Sequence, residues 1–345
     1  LAVFSGDRDD HVCPWGKVQL VRSSDGGETW SAPETIANGL VDDRDAGVLE
    51  MPNGELIVSF FTSVAFRWPN VVARHPEYAR HDSKLDRKQA DAALGYWIIR
   101  SSDGGKTWSA PEKISCDQSP HGPILLKDGS LFQLGRRFEG LKVGESEEGR
   151  TIVSSWRSVD AGHTWTCLNG DIPMPKPPVG VKETFEEPYA VELADGNLIV
   201  PLYFNAEGAQ TKEGAYSPPG KVVCVRYRFG DKGMEVVCAG TPVECPELKR
   251  GCGGPSLVQA GDRFYLTVRS DERGMYAESA DGLVFGELRT WCWEDGTPIG
   301  NRNTQQHWMR LSGGLYLAYT REGALNDHVF RNRAPVFLAR FDPER

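Results

Sequence analysis

A single eight-residue pattern, Ser-x-Asp-x-Gly-x-Thr-Trp, occurs three times in this chain of 345 residues. The copies span residues 23–30, 101–108 and 158–165, and a weaker fourth copy spans 279–285. Asp and Gly supply the backbone conformations of a tight turn, and the Ser and Asp side chains can accept hydrogen bonds from its N–H groups. Because a short apolar run precedes each full copy, we expect a hairpin turn at each one, with a Trp packed against the sheet.

A second set of hairpins is marked by two-residue Gly turns between apolar runs. These turns lie at 53–54, 128–129, 195–196, 261–262 and 313–314. Outer strand pairs are expected to begin near Val18, Tyr96, Thr151, Val222, Gly274 and Pro335. With a truncated opening hairpin, the pattern gives six units of roughly 50 to 60 residues, a spacing typical of propellers.

The sequence therefore predicts an all-β fold, a six-bladed β-propeller of four-stranded antiparallel blades in a single domain over residues 1–345. The chain begins inside a strand, and its last blade lacks an outermost strand. We therefore expect both terminal blades to be incomplete. A segment at about 66–94 does not fit the spacing and is expected to be an inserted loop with a turn or two of helix, either functional or merely solvated.

Charge and composition exclude several classes of function. The net charge is −9 and the pI is about 5.4, which argues against a nucleic-acid partner because phosphate binding needs a basic face. No apolar run is long enough to span a membrane. The eight cysteines fit no zinc spacing; Cys224 with Cys238, or Cys245 with Cys252, could form disulfides or remain buried thiols. A lost signal peptide would be consistent with the truncated front, which favours a secreted or periplasmic protein.

The propeller geometry predicts where a site would lie. Strands alternate in direction, so the start of each innermost strand and the end of each second strand meet at one face, around the central channel. Ionisable and polar residues crowd these positions, which favours an acid/base-capable pocket that binds an anion. The substrate-binding residues that we predict are Arg8, Arg44, His121, Arg137, Tyr203, Arg269 and Arg321. The predicted catalytic residues are Asp10, Asp45, Glu187 and His307.

Each of these assignments has a structural alternative. The guanidinium group matches a carboxylate in two-point geometry, but an arginine could equally pair with a neighbouring Asp or Glu at the rim. Asp45 and Glu187 at strand starts suit proton transfer, whereas His121 and His307 could serve as acid/base groups or as wall residues. Trp15, Trp68 and Trp308 could stack on a sugar or belong to the core. Asp42, Asp43 and Asp45 could hold calcium, although solvated loop charge is the simpler reading, and we predict no metal and no cofactor.

The three repeated turns resemble the Asp-box of the sialidase superfamily, where the box joins the two outer strands of a propeller blade. The stretch 187–196 is similar to the segment whose leading Glu, here Glu187, assists a nucleophilic Tyr in that family. The run 6–10 is similar to the loop that carries the acid/base Asp, which would be Asp9 or Asp10, and Arg269 would belong to the arginine triad. The chain starts after the position of the first family arginine, and Gln306-His307 stands where the family has its Tyr.

Three functions follow from this resemblance and from the charged face. The first is an exo-acting glycoside hydrolase of sialidase type that removes a sialic acid or another acidic sugar. The second is a hydrolase or polysaccharide lyase acting on uronate-containing glycans, with His121 or His307 and a Tyr as base and acid. The third is a non-catalytic glycan-binding propeller. All three take an acidic carbohydrate as partner, and the sequence leaves the oligomeric state open.

Overall fold

The computed structural model describes residues 1–141, 150–178, 189–204, 219–301, 304–311, 313–329 and 332–342. The chain divides into two compact units, Leu1–Ile172 and Pro173–Arg345. Antiparallel strand pairs build three sheets in each unit. This is the strand pattern of a six-bladed β-propeller, so the predicted fold class is confirmed, while the assignment of residues 1–345 to a single domain stays a prediction.

The first unit contains eleven strands in its described part, each sheet formed by strands that are consecutive in the chain. The first sheet consists of β1 (Ala2–Gly6), β2 (Lys17–Val21) and β3 (Glu34–Ala37). The second consists of β4 (Asp42–Glu50), β5 (Leu56–Ser63), β6 (Gly95–Ser101) and β7 (Glu112–Ser115). The third consists of β8 (Ile124–Leu125), β9 (Leu131–Phe138), β10 (Thr151–Ser158) and β11 (Thr166–Asn169).

The second unit repeats the arrangement. Its first sheet consists of β12 (Val191–Glu192), β13 (Leu198–Phe204), β14 (Lys221–Gly230), β15 (Gly233–Ala239) and β16 (Val243–Glu244), which pairs with β14. Its second consists of β17 (Gly253–Ala260), β18 (Arg263–Arg269), β19 (Gly274–Ser279) and β20 (Arg289–Thr290). Its third consists of β21 (His307–Leu311), β22 (Gly314–Tyr319) and β23 (Phe337–Phe341).

The repeated Ser-x-Asp turns join consecutive antiparallel strands, as predicted: β2 to β3 in the first sheet, β6 to β7 in the second and β10 to β11 in the third. In the copy at 101–108, Gly105 N donates to Ser101 Oγ at 2.8 Å, and Thr107 N donates to Asp103 Oδ1 at 3.0 Å. The copies at 23–30 and 158–165 form the same bonds. The expectation of a packed Trp was wrong for Trp30, which is 43% exposed and donates its indole N–H to Gly27 O.

The insertion between β5 and β6 is more helical than the sequence predicts. It forms a short 3-10 helix (Ala65–Arg67), α1 (Pro69–Arg74), α2 (Pro76–Asp82) and α3 (Arg87–Ala93). Proline opens α1 and α2, where its fixed φ suits the first turn, and Asp86 caps α3 by accepting from Gln89 N at 2.8 Å. Phe66, Val71, Tyr78 and Ala90 pack into the core of the second sheet, so the insertion is a folded part of this unit.

No helix in the described part of the chain is long and apolar enough to cross a membrane.

Removing the hydroxyl of Ser101 tests the turn motif. Ser101 is 3% exposed, and its Oγ both accepts from Gly105 N and donates to Asp103 Oδ1. Ser101→Ala should lower the free energy of unfolding by about 1–2 kcal/mol, since a buried N–H loses its partner. The neighbouring exposed Ser102 is the matched control, and Ser102→Ala should change stability by less than about 0.5 kcal/mol. Equal urea midpoints for the two variants would contradict the assignment.

Candidate functional site

Charged side chains gather in the first unit where the loop between β1 and β2 meets the start of β4. We call this group the β4-start cluster. Its members are Arg8, Asp10, His11, Asp42, Asp43, Arg44 and Asp45. Four of them, Arg8, Asp10, Arg44 and Asp45, are predicted site residues. The structure therefore brings together two parts of the chain that the sequence separates by about thirty residues.

The Arg8 guanidinium binds the Asp42 carboxylate through both arms of its fork. Nη1 donates to Oδ1 at 2.5 Å and Nη2 to Oδ2 at 2.8 Å, while Nη2 also donates to His11 O at 2.7 Å. Burial opposes the charge on Arg8, but the carboxylate of Asp42 outweighs it and raises the pKa of Arg8. Gly16 makes room for the pair, because a Cβ there would lie 2.4 Å from Arg8 Nη1. The charge of Arg8 therefore serves to hold the loop between β1 and β2 against β4.

Asp43 is a buried carboxyl with an incomplete set of hydrogen bonds. Its side chain is 0% exposed; Oδ2 accepts from Gly39 N at 2.7 Å, and Oδ1 has no hydrogen-bond partner among the described residues. Burial raises the pKa of Asp43 to about 7, with the neighbouring Asp42 charge acting in the same direction. Near neutral pH this side chain can therefore hold or release a proton.

Arg44 is a cation of the cluster, and it makes no contact with a carboxylate group of the described residues. Its guanidinium carbon lies 5.5 Å from the Phe61 ring centroid, and Nη2 lies 3.5 Å from His11 Nε2. Nε is buried and has no hydrogen-bond partner among the described residues, and no described carboxylate oxygen comes within 4.0 Å of the guanidinium group. A half-buried guanidinium of this kind suits a ligand carboxylate.

Asp45 follows Arg44 at a bulge in β4. The pairing of β4 with β5 shifts between Arg44 and Gly47, and Asp45 has φ of 49°, which is unfavourable for a residue other than glycine. The backbone N–H of Asp45 donates to Ser5 Oγ at 2.7 Å, whereas its carboxylate accepts no hydrogen bond from the described residues. Its charge helps to raise the pKa of Arg8, so the two groups are near each other. Strained backbone at such a position is common at functional sites.

Asp10 connects the cluster to the helical insertion. Oδ2 accepts from Arg74 Nη2 at 2.7 Å and lies 3.1 Å from His75 Nε2, while Oδ1 accepts from His11 N at 2.6 Å. Burial alone would raise the pKa of Asp10, but these hydrogen bonds and the Arg74 charge outweigh it and lower the pKa. Asp10 is therefore ionised at neutral pH, which suits a base or an anchor better than an acid.

Two other predicted residues belong to the third sheet of the first unit or its surroundings: Arg137 lies on β9, and His121 lies in the segment before β8. Arg137 donates to Asp117 Oδ1 at 2.5 Å, and Asp117, which is 1% exposed, also accepts from Ser154 Oγ at 2.7 Å. This contact matches the structural alternative for Arg137. The carbonyl of His121 accepts from Ser119 Oγ at 2.7 Å, and the next residue, Gly122, lies against Gly47 of β4.

In the second unit, Tyr203 and Arg269 lie close to the same glycine. Gly253 pairs with Arg269 across β17 and β18, and a Cβ on Gly253 would lie 3.3 Å from the Tyr203 ring. Tyr203 is 4% exposed and lies in the apolar cluster of this unit. Arg269 ends β18 and pairs with Gly274 at the start of β19. Both residues occupy the strand ends at which the sequence places them.

His307 lies on the last sheet, and Arg321 follows the end of its strand β22. His307 opens β21, and its Nε2 lies 3.2 Å from Gln305 Oε1. The preceding Gln306 is buried and accepts from Thr267 Oγ1 at 2.9 Å. The guanidinium carbon of Arg321 lies 4.8 Å from the Phe337 ring centroid, and its Nε has no hydrogen-bond partner among the described residues. Glu187 lies outside the described residues.

The structure also bears on the tryptophans considered for sugar stacking and on the acidic residues considered for calcium binding. Trp15 packs edge-on against Tyr78 at 5.1 Å, Trp68 packs on the same core, and Trp308 packs against Trp291 at 5.4 Å. These contacts favour the core reading for all three. Among the described residues no group of His, Cys, Asp and Glu side chains could hold a metal ion, and Asp42 and Asp43 have separate partners.

Sequence reasoning missed several members of this site. Asp42 and Asp43 entered only as possible calcium ligands, and neither His11 nor the anchors Arg74 and His75 was predicted. A pair such as Asp10 with Arg74 is 64 residues apart in the chain, so no local pattern marks it. The dense run of charges at 42–45 was the one signal available.

No known protein family and no curated protein matches this chain. Several solved structures share its fold. A protein of unknown function from Dyadobacter fermentans is 16% identical with a TM-score of 0.58, covering 91% of this chain and 82% of that one. The intramolecular trans-sialidase from Ruminococcus gnavus is 12% identical with a TM-score of 0.57, covering 96% and 88%. The α-L-arabinanase from Penicillium chrysogenum is 15% identical with a TM-score of 0.54, covering 86% and 77%.

Replacing Asp43 tests its protonation. In the unfolded chain an Asp titrates near pH 4, whereas folded Asp43 holds its proton up to about pH 7. The contribution of Asp43 to the free energy of unfolding is therefore greatest below pH 4 and is lost as the pH rises to 7. The free energy of unfolding of Asp43→Asn, taken relative to that of the wild type, should rise by about 3 kcal/mol between pH 5 and pH 8, as measured by urea unfolding at both pH values. A difference that does not change with pH would contradict the assignment.

Replacing Asp10 tests the link to the insertion. Asp10→Asn removes the charge that binds Arg74 and His75. Amide hydrogen exchange in residues 69–82 should become about five-fold faster, since charged hydrogen bonds there stabilise the closed state. Asp7→Asn, which breaks an exposed pair with Lys17, is the control and should leave that segment unchanged. Unaltered exchange in Asp10→Asn would show that Asp10 does not anchor the insertion.

Proposed function

We propose that this protein is a glycoside hydrolase of sialidase type that removes a sialic acid or another acidic sugar from glycans. The fold likeness to a trans-sialidase and an arabinanase supports a carbohydrate substrate. The observation that supports an acidic sugar as the substrate is Arg44, a half-buried cation with no described carboxylate oxygen within 4.0 Å of its guanidinium group. The trans-sialidase was solved with oseltamivir carboxylate, an anionic ligand.

In this proposal Arg44 binds the substrate carboxylate and Asp45 transfers the proton. The bulge between Arg44 and Gly47 interrupts the alternation of β4, which allows consecutive residues to serve one site. The Asp45 carboxylate is available because it makes no hydrogen bond to the described residues, whereas Asp10 is already bound to Arg74 and His75. Arg8 acts by positioning the loop. Glu187 and His307 stay catalytic residues predicted from the sequence alone.

The uronate lyase and the non-catalytic binder remain distinct outcomes. The test is a panel of fluorogenic sialosides, glucuronides and galacturonides, with a neutral arabinofuranoside as reference. Release of the fluorophore from an acidic glycoside supports the proposal. Absorbance from an unsaturated uronate would select the lyase, and saturable binding without turnover would select the glycan-binding protein.

Substituting Arg44 separates charge recognition from folding. Arg44→Gln should lower kcat/KM for the acidic glycoside by about 100-fold, because a two-point charged contact is lost. Arg80→Gln, on the exposed face of α2, is the matched control and should retain wild-type activity. Asp45→Asn should lower kcat by a similar factor of about 100 with little change in KM. Full activity of Arg44→Gln would refute Arg44 as the carboxylate-binding residue.

A further inference from the structure

A cavity of about 310 Å³ lies in the second unit, and none of its lining residues is a predicted site residue. Its lining combines acidic, basic, sulfur and aromatic side chains. They include Glu244, Cys245, Glu247, Arg273, Met275 and Phe285. The thiol of Cys245 therefore borders a space that can admit a small molecule, although the residue as a whole is only 4% exposed.

The Cys245 thiol has a polar partner at this cavity. Sγ donates to Glu247 Oε1 at 2.8 Å and lies 3.9 Å from Met275 Sδ. Arg273 Nη2 lies 3.6 Å from the same carboxylate oxygen. Since the side chain of Glu247 is 58% exposed, the thiol proton has a hydrogen-bonded route to solvent.

Cys252 is a second buried thiol in this region. It is 0% exposed and belongs to the same apolar cluster, and its backbone N–H donates to Gly220 O at 2.9 Å. A hydrogen bond between the two thiols, together with burial, raises the pKa of Cys252. Two successive turns, Leu248 N to Cys245 O at 3.1 Å and Gly251 N to Leu248 O at 3.0 Å, shape the segment between the two cysteines. Cys245 lines the cavity, and Cys252 is the buried neighbour with which its thiol interacts.

We propose that Cys245 and Cys252 are a reversible dithiol pair, oxidised to a disulfide by a small-molecule disulfide that enters this cavity. The inference does not depend on the glycosidase proposal. The Cys245 thiolate attacks one sulfur of the small disulfide, forms a mixed disulfide and releases one thiol. Cys252 then attacks the Cys245 sulfur, closes the protein disulfide and releases the second thiol. Two protein thiols are oxidised, one small disulfide is reduced, and both protons pass to the departing thiolates.

The experiment treats the native full-length chain with oxidised glutathione, quenches with N-ethylmaleimide and maps cysteine modification by mass spectrometry. The expected product is a peptide pair crosslinked between Cys245 and Cys252, reversed by dithiothreitol. The oxidised protein should unfold a few degrees higher, because the crosslink restricts the unfolded chain. Cys252→Ser should accumulate one glutathione on Cys245, and Cys245→Ser should leave Cys252 unmodified.

Cys224→Ser is the matched control, since Cys224 is a buried thiol of the same apolar cluster, and the crosslink should form as in the wild type. The proposal is overturned if the wild-type protein carries glutathione only on the exposed Cys116, Cys167, Cys238 or Cys292 while Cys245 and Cys252 stay reduced. It is equally overturned if both cysteines form only mixed disulfides. The wild-type map decides between these outcomes even if a serine variant does not fold.

Discussion

The paired hydrogen bonds between Arg8 and Asp42 hold together the part of the first unit in which the candidate chemistry lies. Asp42 is fully buried and also accepts from Cys13 N, so its carboxylate depends on the arginine for neutralisation. Removing one partner of such a pair generally costs about 3–5 kcal/mol, because the other charge stays buried. The loop 7–16 and the start of β4 therefore form one rigid piece, and Arg44 and Asp45 take their positions from it.

The same strand gives neighbouring carboxyl groups different partners. Asp42 is bound by the Arg8 guanidinium, whereas its neighbour Asp43 accepts one hydrogen bond, from the backbone N–H of Gly39. Alternation along a strand sends the two side chains to different surroundings, which explains how adjacent residues of one type differ in their hydrogen-bond partners. At the bulge the alternation stops, and Asp45 keeps a carboxylate that is not used by the fold.

The turns and strands were readable from the sequence because their signals are local. Asp-Gly and Gly-Gly steps need particular φ values, and Ser101 and Asp103 act within five residues of each other. The site was only partly readable. Positions at strand ends were predicted from topology, but which arginine is bound to a carboxylate, such as Arg137 to Asp117, depends on contacts between distant segments. The helices at 69–93 were underestimated, since the sequence predicts only a turn or two of helix there, whereas Pro69 and Pro76 each open a helix.

The insertion leaves the second sheet and returns to it at a single paired step. Thr62 on β5 faces Gly95 on β6, and Thr62 Oγ1 accepts from Gly95 N at 2.9 Å and donates to Ala93 O at 2.7 Å. These two hydrogen bonds hold the ends of the insertion together, so the insertion does not disturb the register of β5 and β6. The blade can exchange this whole segment for another of different length, so the insertion can evolve independently of the sheet that supports it.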